Sequence, residues 1–167
     1  MPLYRDFLDK KTTAKDNWQE KNLASYLPAH GYHGYAFLDM TGDGVPELCV
    51  KEYRLHFFTV KNGELYHWYT EESGYSKLLS NGALYTQVED SGEQAYTYEM
   101  LSERACVAAR VTFSRWDGRY LDPSQVHPDR YVFNAQDVTQ AEYEEKLKPY
   151  LEIGDDKVVW YDQDGNL

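Results

Sequence analysis

The feature that most constrains the fold is a short polar loop between two apolar runs. Residues 35–50 read Y-A-F-L-D-M-T-G-D-G-V-P-E-L-C-V, with oxygen-bearing side chains at Asp39, Thr41, Asp43 and Glu47 and glycine at positions 42 and 44. Glycine permits a sharp chain reversal, and strand-like apolar runs stand on both sides. The loop therefore predicts a tight turn between two strands that gathers oxygen atoms.

Such a loop predicts a cation site. Calcium and similar hard cations take about six to eight oxygen ligands. On this interpretation the ligands are side-chain oxygens of Asp39, Thr41 and Asp43, the backbone carbonyl oxygen of Val45, and the carboxylate of Glu47. The loop is EF-hand-like but is not an EF-hand, because the bidentate acid of that motif is replaced by valine and the last acid comes three positions earlier. The alternative is an ordinary hairpin turn, since glycine and aspartate accept the backbone angles of such turns.

A family resemblance rests on the same residues. The run F-L-D-M-T-G-D-G-V-P-E-L resembles the D-x-D-G-D-G-x-P-E-L loop of FG-GAP and VCBS-type calcium-binding repeats. The chain is more closely similar to a recurring domain of secreted or lipoprotein sequences from Gram-positive anaerobic bacteria, which ends in a K-P-Y-L-E-I-G-like segment matched at residues 148–154. The resemblance implies calcium as the cofactor and an extracellular or cell-surface location, and it implies no activity. Threonine at position 41 replaces the usual acidic or amide residue, which predicts weak binding, with a dissociation constant of roughly 10⁻⁴ to 10⁻³ M.

Charge and hydropathy narrow the possible partners. The chain has 17 basic and 28 acidic residues and a net charge of −11, which disfavours nucleic acids and anionic membranes. It contains no apolar run of about 18 residues, so we expect no membrane span. Its first residues do not form a signal peptide, so a cytoplasmic location is the alternative to the extracellular one. The two cysteines, Cys49 and Cys106, lie in apolar runs and are expected to be buried thiols.

The pattern of apolar residues predicts an α+β fold, mainly an antiparallel β meander that is sandwich-like or a partly closed barrel. We expect one domain over residues 1–167, with a helical segment at 1–31, the sheet at 32–134, and a C-terminal helix and last strand at 137–167. Strand-like runs lie at residues 34–39, 47–52, 55–60, 65–70, 75–79, 83–88, 96–101, 106–116, 130–133 and 158–161. Asn-Gly at 62–63 and 81–82 and Asp-Gly at 117–118 are hairpin signals.

Two capping boxes predict helix starts. Asn17 and Glu20 predict a helix over residues 17–27, and Thr139 and Glu142 predict the C-terminal helix, which Pro149 is expected to end.

The chain lacks the motifs of common catalytic classes. No G-x-S-x-G, phosphate-binding glycine loop or H-E-x-x-H is present, so no catalytic residues are predicted and a non-enzyme is expected. His56 and His67 stand on either side of the Asn62-Gly63 turn and can approach each other across that hairpin. A zinc site would need a further ligand, and half-exposed strand histidines are the ordinary expectation.

Strand aromatics suggest a second kind of binding. Eight of them invite sugar stacking or protein binding: Phe57, Phe58, Tyr66, Trp68, Tyr69, Tyr96, Tyr98 and Trp116. About half must face the core, because strand side chains alternate.

Two functions follow from these patterns. The first is a non-enzymatic cell-surface binding or accessory domain with a weak structural calcium-type site, a protein or glycan ligand, and a monomeric or weakly dimeric state. The second is an acidic immunity-type inhibitor that binds a basic toxin through its carboxylates, which the net charge and the missing signal peptide favour.

Overall fold

The chain forms two compact units. The computed structural model describes residues 2–16, 19–27, 31–71, 74–102, 107–118, 129–153 and 157–167. The first unit comprises Met1–Gly74, Ser102–Cys106 and Val158–Leu167, and the second comprises Tyr75–Leu101 and Val107–Lys157. That the whole chain folds as one domain stays a prediction.

The first unit is a six-stranded sheet with two short helices. Its elements are α1 (Pro2–Leu8), β1 (Ala14–Asp16), β2 (Gln19–Lys21), α2 (Leu23–Tyr26), β3 (Gly34–Leu38), β4 (Glu47–Lys51), β5 (Leu55–Lys61) and β6 (Glu64–Glu71). The strand order is β2-β1-β6-β5-β4-β3. Strands β3 to β6 form an antiparallel meander, whereas β1 joins β6 in parallel through Lys15 and Tyr66.

Two sequence predictions for this unit need correction. The helix expected over residues 17–27 is wrong: Glu20 lies in β2, and helix α2 begins only at Leu23, capped by the Asn22 side chain, which accepts the backbone N–H of Ser25. Asn17 lies outside the described residues. Pairing of β1 with β2 and with β6 overrides the local helical pattern there. The last strand expected at 158–161 is reduced to a single bridge, in which Tyr161 and Tyr35 exchange two backbone hydrogen bonds.

The core of the first unit lies on the sheet face that α1 covers. Phe7 of α1 and Phe58 of β5 are fully buried, and their ring centroids are 4.7 Å apart. Leu48 and Val50 alternate on β4 toward the same cluster, as the period of two requires.

A β-bulge distorts the β5–β6 hairpin. Phe57 pairs with Tyr69 and Phe58 pairs with His67, so Trp68 is an extra residue on β6. Because of that extra residue, His67 and Thr70 point to the same face although they are three positions apart.

The second unit is a six-stranded antiparallel meander followed by one helix. Its elements are β7 (Lys77–Leu78), β8 (Leu84–Asp90), β9 (Glu93–Leu101), β10 (Val107–Trp116), β11 (Arg130–Phe133), β12 (Gln136–Val138) and α3 (Gln140–Leu151). The strand order follows the chain, β12-β11-β10-β9-β8-β7. The β8–β9 hairpin turns at Ser91 and Gly92, with φ of 46° and 86°, as a type I′ turn requires.

Helix α3 covers one face of the second sheet. Its capping box is confirmed: the Thr139 hydroxyl accepts the backbone N–H of Glu142, and the Glu142 carboxylate accepts the backbone N–H of Thr139. Tyr143 and Leu147 are buried against a cluster that contains Phe113. The expectation that Pro149 ends the helix is wrong, because the helix continues to Leu151 with Pro149 inside its last turn, at the cost of the one hydrogen bond that the missing Pro149 N–H would donate.

The predicted fold class is confirmed in its sheet-rich, mainly antiparallel form with N-terminal helices and a C-terminal helix. Of the two sheet forms expected, the barrel is not found, since each sheet runs from one edge strand to another in the described part of the chain. No helix within the described ranges has the length and apolar character needed to cross a membrane. Cys49 is a buried free thiol, and Cys106 lies outside the described residues.

Candidate functional site

The predicted cation loop connects β3 to β4. Gly42 and Gly44 have φ of 78° and 84°, which is the left-handed region that glycine enters without strain. The space around both is open, with no neighbouring atom within 4 Å of where a Cβ would stand. These glycines are therefore required by the turn of the chain rather than by crowding.

The carboxylate of Asp39 stabilises the loop through two hydrogen bonds to its backbone. Its Oδ1 accepts the N–H of Gly42 at 2.7 Å, and its Oδ2 accepts the N–H of Gly44 at 2.8 Å. Farther along, Asp43 Oδ1 accepts the N–H of Val45 at 2.7 Å. Both carboxylates thus fold the backbone into the turn, and each oxygen so used retains a second lone pair.

Glu47 is the buried acid of the loop. It is 2 % exposed, and its Oε2 accepts the backbone N–H of Met40 at 2.8 Å. Burial raises the pKa of this carboxyl above its ordinary value, and the negative charges of Asp43 and Asp39 raise it further, against the lowering effect of the Met40 N–H. Ionised Glu47 therefore lies in a position where a nearby cation would be stabilising.

The hydroxyl of Thr41 lies in the same part of the loop as Glu47. Its Oγ1 is buried and has no hydrogen-bond partner among the described residues. A small cavity of about 70 Å³ is lined by Thr41, Asp43, Val45 and Glu47 on the loop side and by Thr59, Val60, Lys61 and Trp68 on the β5–β6 side. The structure thus brings four of the five predicted ligands to one cavity, whereas Asp39 does not line it.

The oxygen atoms at this cavity suit a hard cation that binds with modest affinity. The residues that line the cavity include two carboxylates, from Asp43 and Glu47, two hydroxyls, from Thr41 and Thr59, and the amine of Lys61, and the cavity exceeds the volume that one ion or water needs. Oxygen donors of this kind suit calcium rather than zinc. No group of three or more His, Cys, Asp or Glu side chains is arranged to hold a metal within the described ranges, in keeping with an Asp39 carboxylate that is turned toward backbone N–H groups.

Helix α1 contacts the loop through Tyr4, a residue that sequence reasoning missed. Its hydroxyl donates to the carbonyl oxygen of Pro46 at 3.1 Å, and the side chain is 2 % exposed. Burial, reinforced by the negative charge of Glu47, raises the pKa of Tyr4 to about 12. No local signal links positions 4 and 46, so only the tertiary structure reveals this contact.

The second D-x-D-G fragment, residues 162–165, is a turn held by its own side chain. Asp162 Oδ1 accepts the backbone N–H groups of Asp164 and Asn166 at 2.9 and 2.8 Å. The Asn166 side chain also donates to Asp162, and these bonds lower the pKa of Asp162. The fragment is exposed and lacks a buried acid comparable to Glu47, which agrees with a terminal turn.

The histidine pair lies where the hairpin register predicts. The ring centroids of His56 and His67 are 6.2 Å apart. Both rings contact the hydroxyl of Thr70, which sequence reasoning did not identify because its position depends on the Trp68 bulge.

The eight strand aromatics expose little side-chain surface for binding a ligand. Phe57, Phe58 and Tyr98 are buried, and the other five are half-buried. Among the described residues the most exposed aromatics are Tyr53 in the first unit and Tyr75 in the second, at 59 % and 77 %.

Comparisons with known proteins identify no relative: no family model matches the chain, and neither a curated protein nor a solved structure matches it at a significant level. The resemblance to FG-GAP and VCBS-type repeats therefore stays a prediction. Its function is therefore inferred from the geometry of the chain itself.

Proposed function

We propose that the chain is a non-enzymatic binding or accessory domain whose loop at residues 39–47 holds a calcium-type cation. The observation that carries the proposal is the meeting of two buried oxygen-bearing groups at one cavity: the Thr41 hydroxyl, which has no hydrogen-bond partner among the described residues, and the Glu47 carboxylate, which accepts the Met40 N–H. Buried polar groups are normally hydrogen-bonded or bound to an ion. A hard cation would give the Thr41 hydroxyl a partner and the Glu47 carboxylate a counter-charge.

The role of the ion is structural. It neutralises Glu47 at the start of β4 and links it to the turn that follows β3, so that binding stabilises the folded first unit. With a dissociation constant of roughly 10⁻⁴ to 10⁻³ M, the site fills only where calcium is abundant, which is the basis for an extracellular or cell-surface location. The ligand of the domain is a protein or glycan, and the ion rigidifies the scaffold that presents it.

Terbium luminescence tests the site directly. Trp68 lines the cavity, so excitation of tryptophan should sensitise a bound terbium ion, and calcium should quench the emission by displacing it. Thr41→Val removes one oxygen and keeps the side-chain shape. Asp43→Asn removes one charge while keeping an oxygen for the Val45 N–H. Both variants should weaken terbium binding at least tenfold.

Two controls separate the site from general surface binding. Asp164→Asn removes an exposed acid from the other D-x-D-G turn and should change nothing, and Trp68→Phe should remove the sensitised emission while calcium still raises thermal stability. Equal terbium affinity in Thr41→Val, Asp43→Asn and the unchanged chain would exclude the loop as the site.

The second candidate function, an acidic inhibitor of a basic toxin, is supported by an acidic recess in the second unit. At the end of the β8–β9 hairpin, Glu89, Asp90, Glu93 and Asp117 line a recess of about 320 Å³ that also contains Arg115. Arg115 is paired with Asp129 at 2.8 Å, so negative charge predominates there. A basic partner would bind with a strong salt dependence. Glu89→Gln with Glu93→Gln should weaken capture of a lysine-rich peptide, whereas Glu144→Gln with Glu145→Gln on α3 should not.

A further inference from the structure

Four polar side chains lie in a row across the core face of the first unit, and none of them belongs to the cation loop. Thr70 Oγ1 lies between His56 Nδ1 at 3.1 Å and His67 Nε2 at 2.9 Å. On the far side, His67 Nδ1 lies 3.8 Å from Asp16 Oδ2. We call these four side chains, Asp16, His67, Thr70 and His56, the histidine relay.

The relay has one consistent set of protons. The carboxylate of Asp16 favours the proton of His67 on Nδ1, so His67 Nε2 accepts from the Thr70 hydroxyl. A hydroxyl carries one proton, and Thr70 therefore accepts from His56 Nδ1–H. This assignment follows from the hydrogen-bond network and leaves His56 Nε2 as a bare lone pair.

That lone pair is in a place that tolerates no added proton. His56 is 6 % exposed, and its Nε2 is buried without a partner among the described residues. The residue opposite on β4 is Val50, whose side chain offers no acceptor. A proton on Nε2 would be a buried cationic donor with nothing to receive it.

Burial and the neighbouring positive charges favour neutral imidazoles in the relay, whereas the carboxylate of Asp16 opposes them. Burial, and then the charges of His67 and Arg54, lower the pKa of His56 to about 4. Burial also lowers the pKa of His67, opposed by Asp16 on β1 and assisted by Lys21 on β2. Lys21 Nζ lies 2.8 Å from Asp16 Oδ2, so this ion pair neutralises part of the negative charge of Asp16.

The relay connects the peripheral elements of the unit to its central hairpin. Asp16 belongs to β1 and Lys21 to β2, and the ring of Tyr26 on α2 lies 4.6 Å from the ring of His67. We propose that the histidine relay is an acid-sensitive switch that holds β1, β2 and α2 against the β5–β6 hairpin at neutral pH and releases them on acidification.

The direction follows from proton linkage. An unfolded histidine takes up its proton near its ordinary pKa of about 6.5, whereas folded His56 resists protonation. The stabilising effect is therefore complete above that pH and is lost progressively as the pH falls toward 4. Between pH 7 and pH 5, His56 alone should raise the unfolding equilibrium constant about twentyfold.

Nuclear magnetic resonance tests the relay in the unaltered protein. Long-range ¹H–¹⁵N spectra at pH 7 should show both imidazoles neutral with the proton on Nδ1. A proton on Nε2 of His56, or titration of His56 at an ordinary histidine pKa, would overturn the proposal without any variant.

Denaturant unfolding at pH 7 and pH 5 tests the consequence. The matched pair is His56→Gln, within the relay, and His33→Gln, on the exposed surface. The loss of stability on acidification should persist in His33→Gln and shrink by most of the twentyfold factor in His56→Gln. An equal loss in both variants would contradict the switch.

Hydrogen exchange identifies what is released. After correction for the intrinsic effect of pH, amides of Ala14–Asp16 and Leu23–Tyr26 should lose protection at pH 5 before those of β9 do. Uniform loss across both units would mean that acid unfolds the protein as a whole, and the switch would be rejected.

Discussion

The carboxylate of Glu47 accepts the backbone N–H of Met40 at 2.8 Å, so the acid that begins β4 reaches back to the first turn of the loop. This bond closes the loop without a metal, and Glu47 and Thr41 both line the same small cavity. Hydrogen bonds to Asp39 and Glu47 thus hold the loop together at its two ends.

Replacement of Glu47 by glutamine should have opposite effects with and without calcium. Because burial raises the pKa of Glu47, the ionised form is penalised in the fold, and that penalty is absent at low pH and present at pH 7. In metal-free buffer at pH 7, Glu47→Gln keeps an oxygen for Met40 and should raise the thermal midpoint by about 2 °C. In calcium it should lose the ion-induced shift. Glu145→Gln on α3 is the control, and a metal-free Glu47→Gln protein that is less stable would contradict this prediction.

Tyr4→Phe should destabilise the protein, and Tyr26→Phe should not. The Tyr4 hydroxyl donates to the part-buried carbonyl oxygen of Pro46, so its removal deletes this hydrogen bond and should cost about 1 kcal/mol in the free energy of unfolding. The Tyr26 hydroxyl is buried without a hydrogen-bond partner in the described part of the chain, so its removal should be neutral or stabilising. Urea denaturation of both variants measures the difference, and equal losses would show that the Pro46 bond contributes nothing.

Removal of the α3 cap should lower stability by a predictable amount. Thr139→Ala deletes the hydroxyl that accepts the Glu142 N–H, and loss of such a cap costs about 1 kcal/mol. Glu145→Ala, on the exposed side of the same helix, should stay within about 0.5 kcal/mol of the unchanged protein. The comparison is made from the denaturant midpoints of variants whose unfolding curves have the same slope. A loss of stability in Thr139→Ala that is no larger than the loss in Glu145→Ala would contradict a stabilising cap.

Cavities in the two cores test whether the chain unfolds as one domain. Phe58→Ala in the first unit and Phe113→Ala in the second each remove a fully buried ring and should each cost about 3 to 5 kcal/mol. If the single-domain prediction is correct, either variant lowers one common transition. Calorimetry reports this, and two separated transitions, with only one of them moved by each variant, would show independent domains.

Elements specified by neighbouring residues were predictable from the sequence. The capping pair Thr139 and Glu142 fixes the start of α3 because both partners lie within one helical turn. The Asn62-Gly63 turn, with φ of 53° and 79°, fixes the β5–β6 hairpin for a similar local reason. The alternating acids of the loop likewise predicted which residues meet at its cavity, apart from Asp39.

Features that depend on distant pairing were not predictable. Strand β1 forms because Lys15 pairs with Tyr66 in parallel, a contact that no local pattern encodes and that replaces the helix expected at residues 17–27. The Trp68 bulge is a matter of register, yet it decides that Thr70 meets both histidines. The residue type of Asp39 allows it to bind a cation or to accept backbone N–H groups, and only the loop geometry shows that its oxygens accept the N–H groups of Gly42 and Gly44.

Thermal unfolding of the metal-stripped protein, with and without about 10 mM calcium, tests the central claim most directly. At this concentration, a site with the proposed affinity should raise the midpoint by roughly 3 to 10 °C. The shift should fall to about half or less in Asp43→Asn and persist in full in Asp164→Asn. An unchanged midpoint in calcium, or an equal shift in Asp43→Asn, would contradict the cation site and leave the acidic recess of the second unit as the better guide to function.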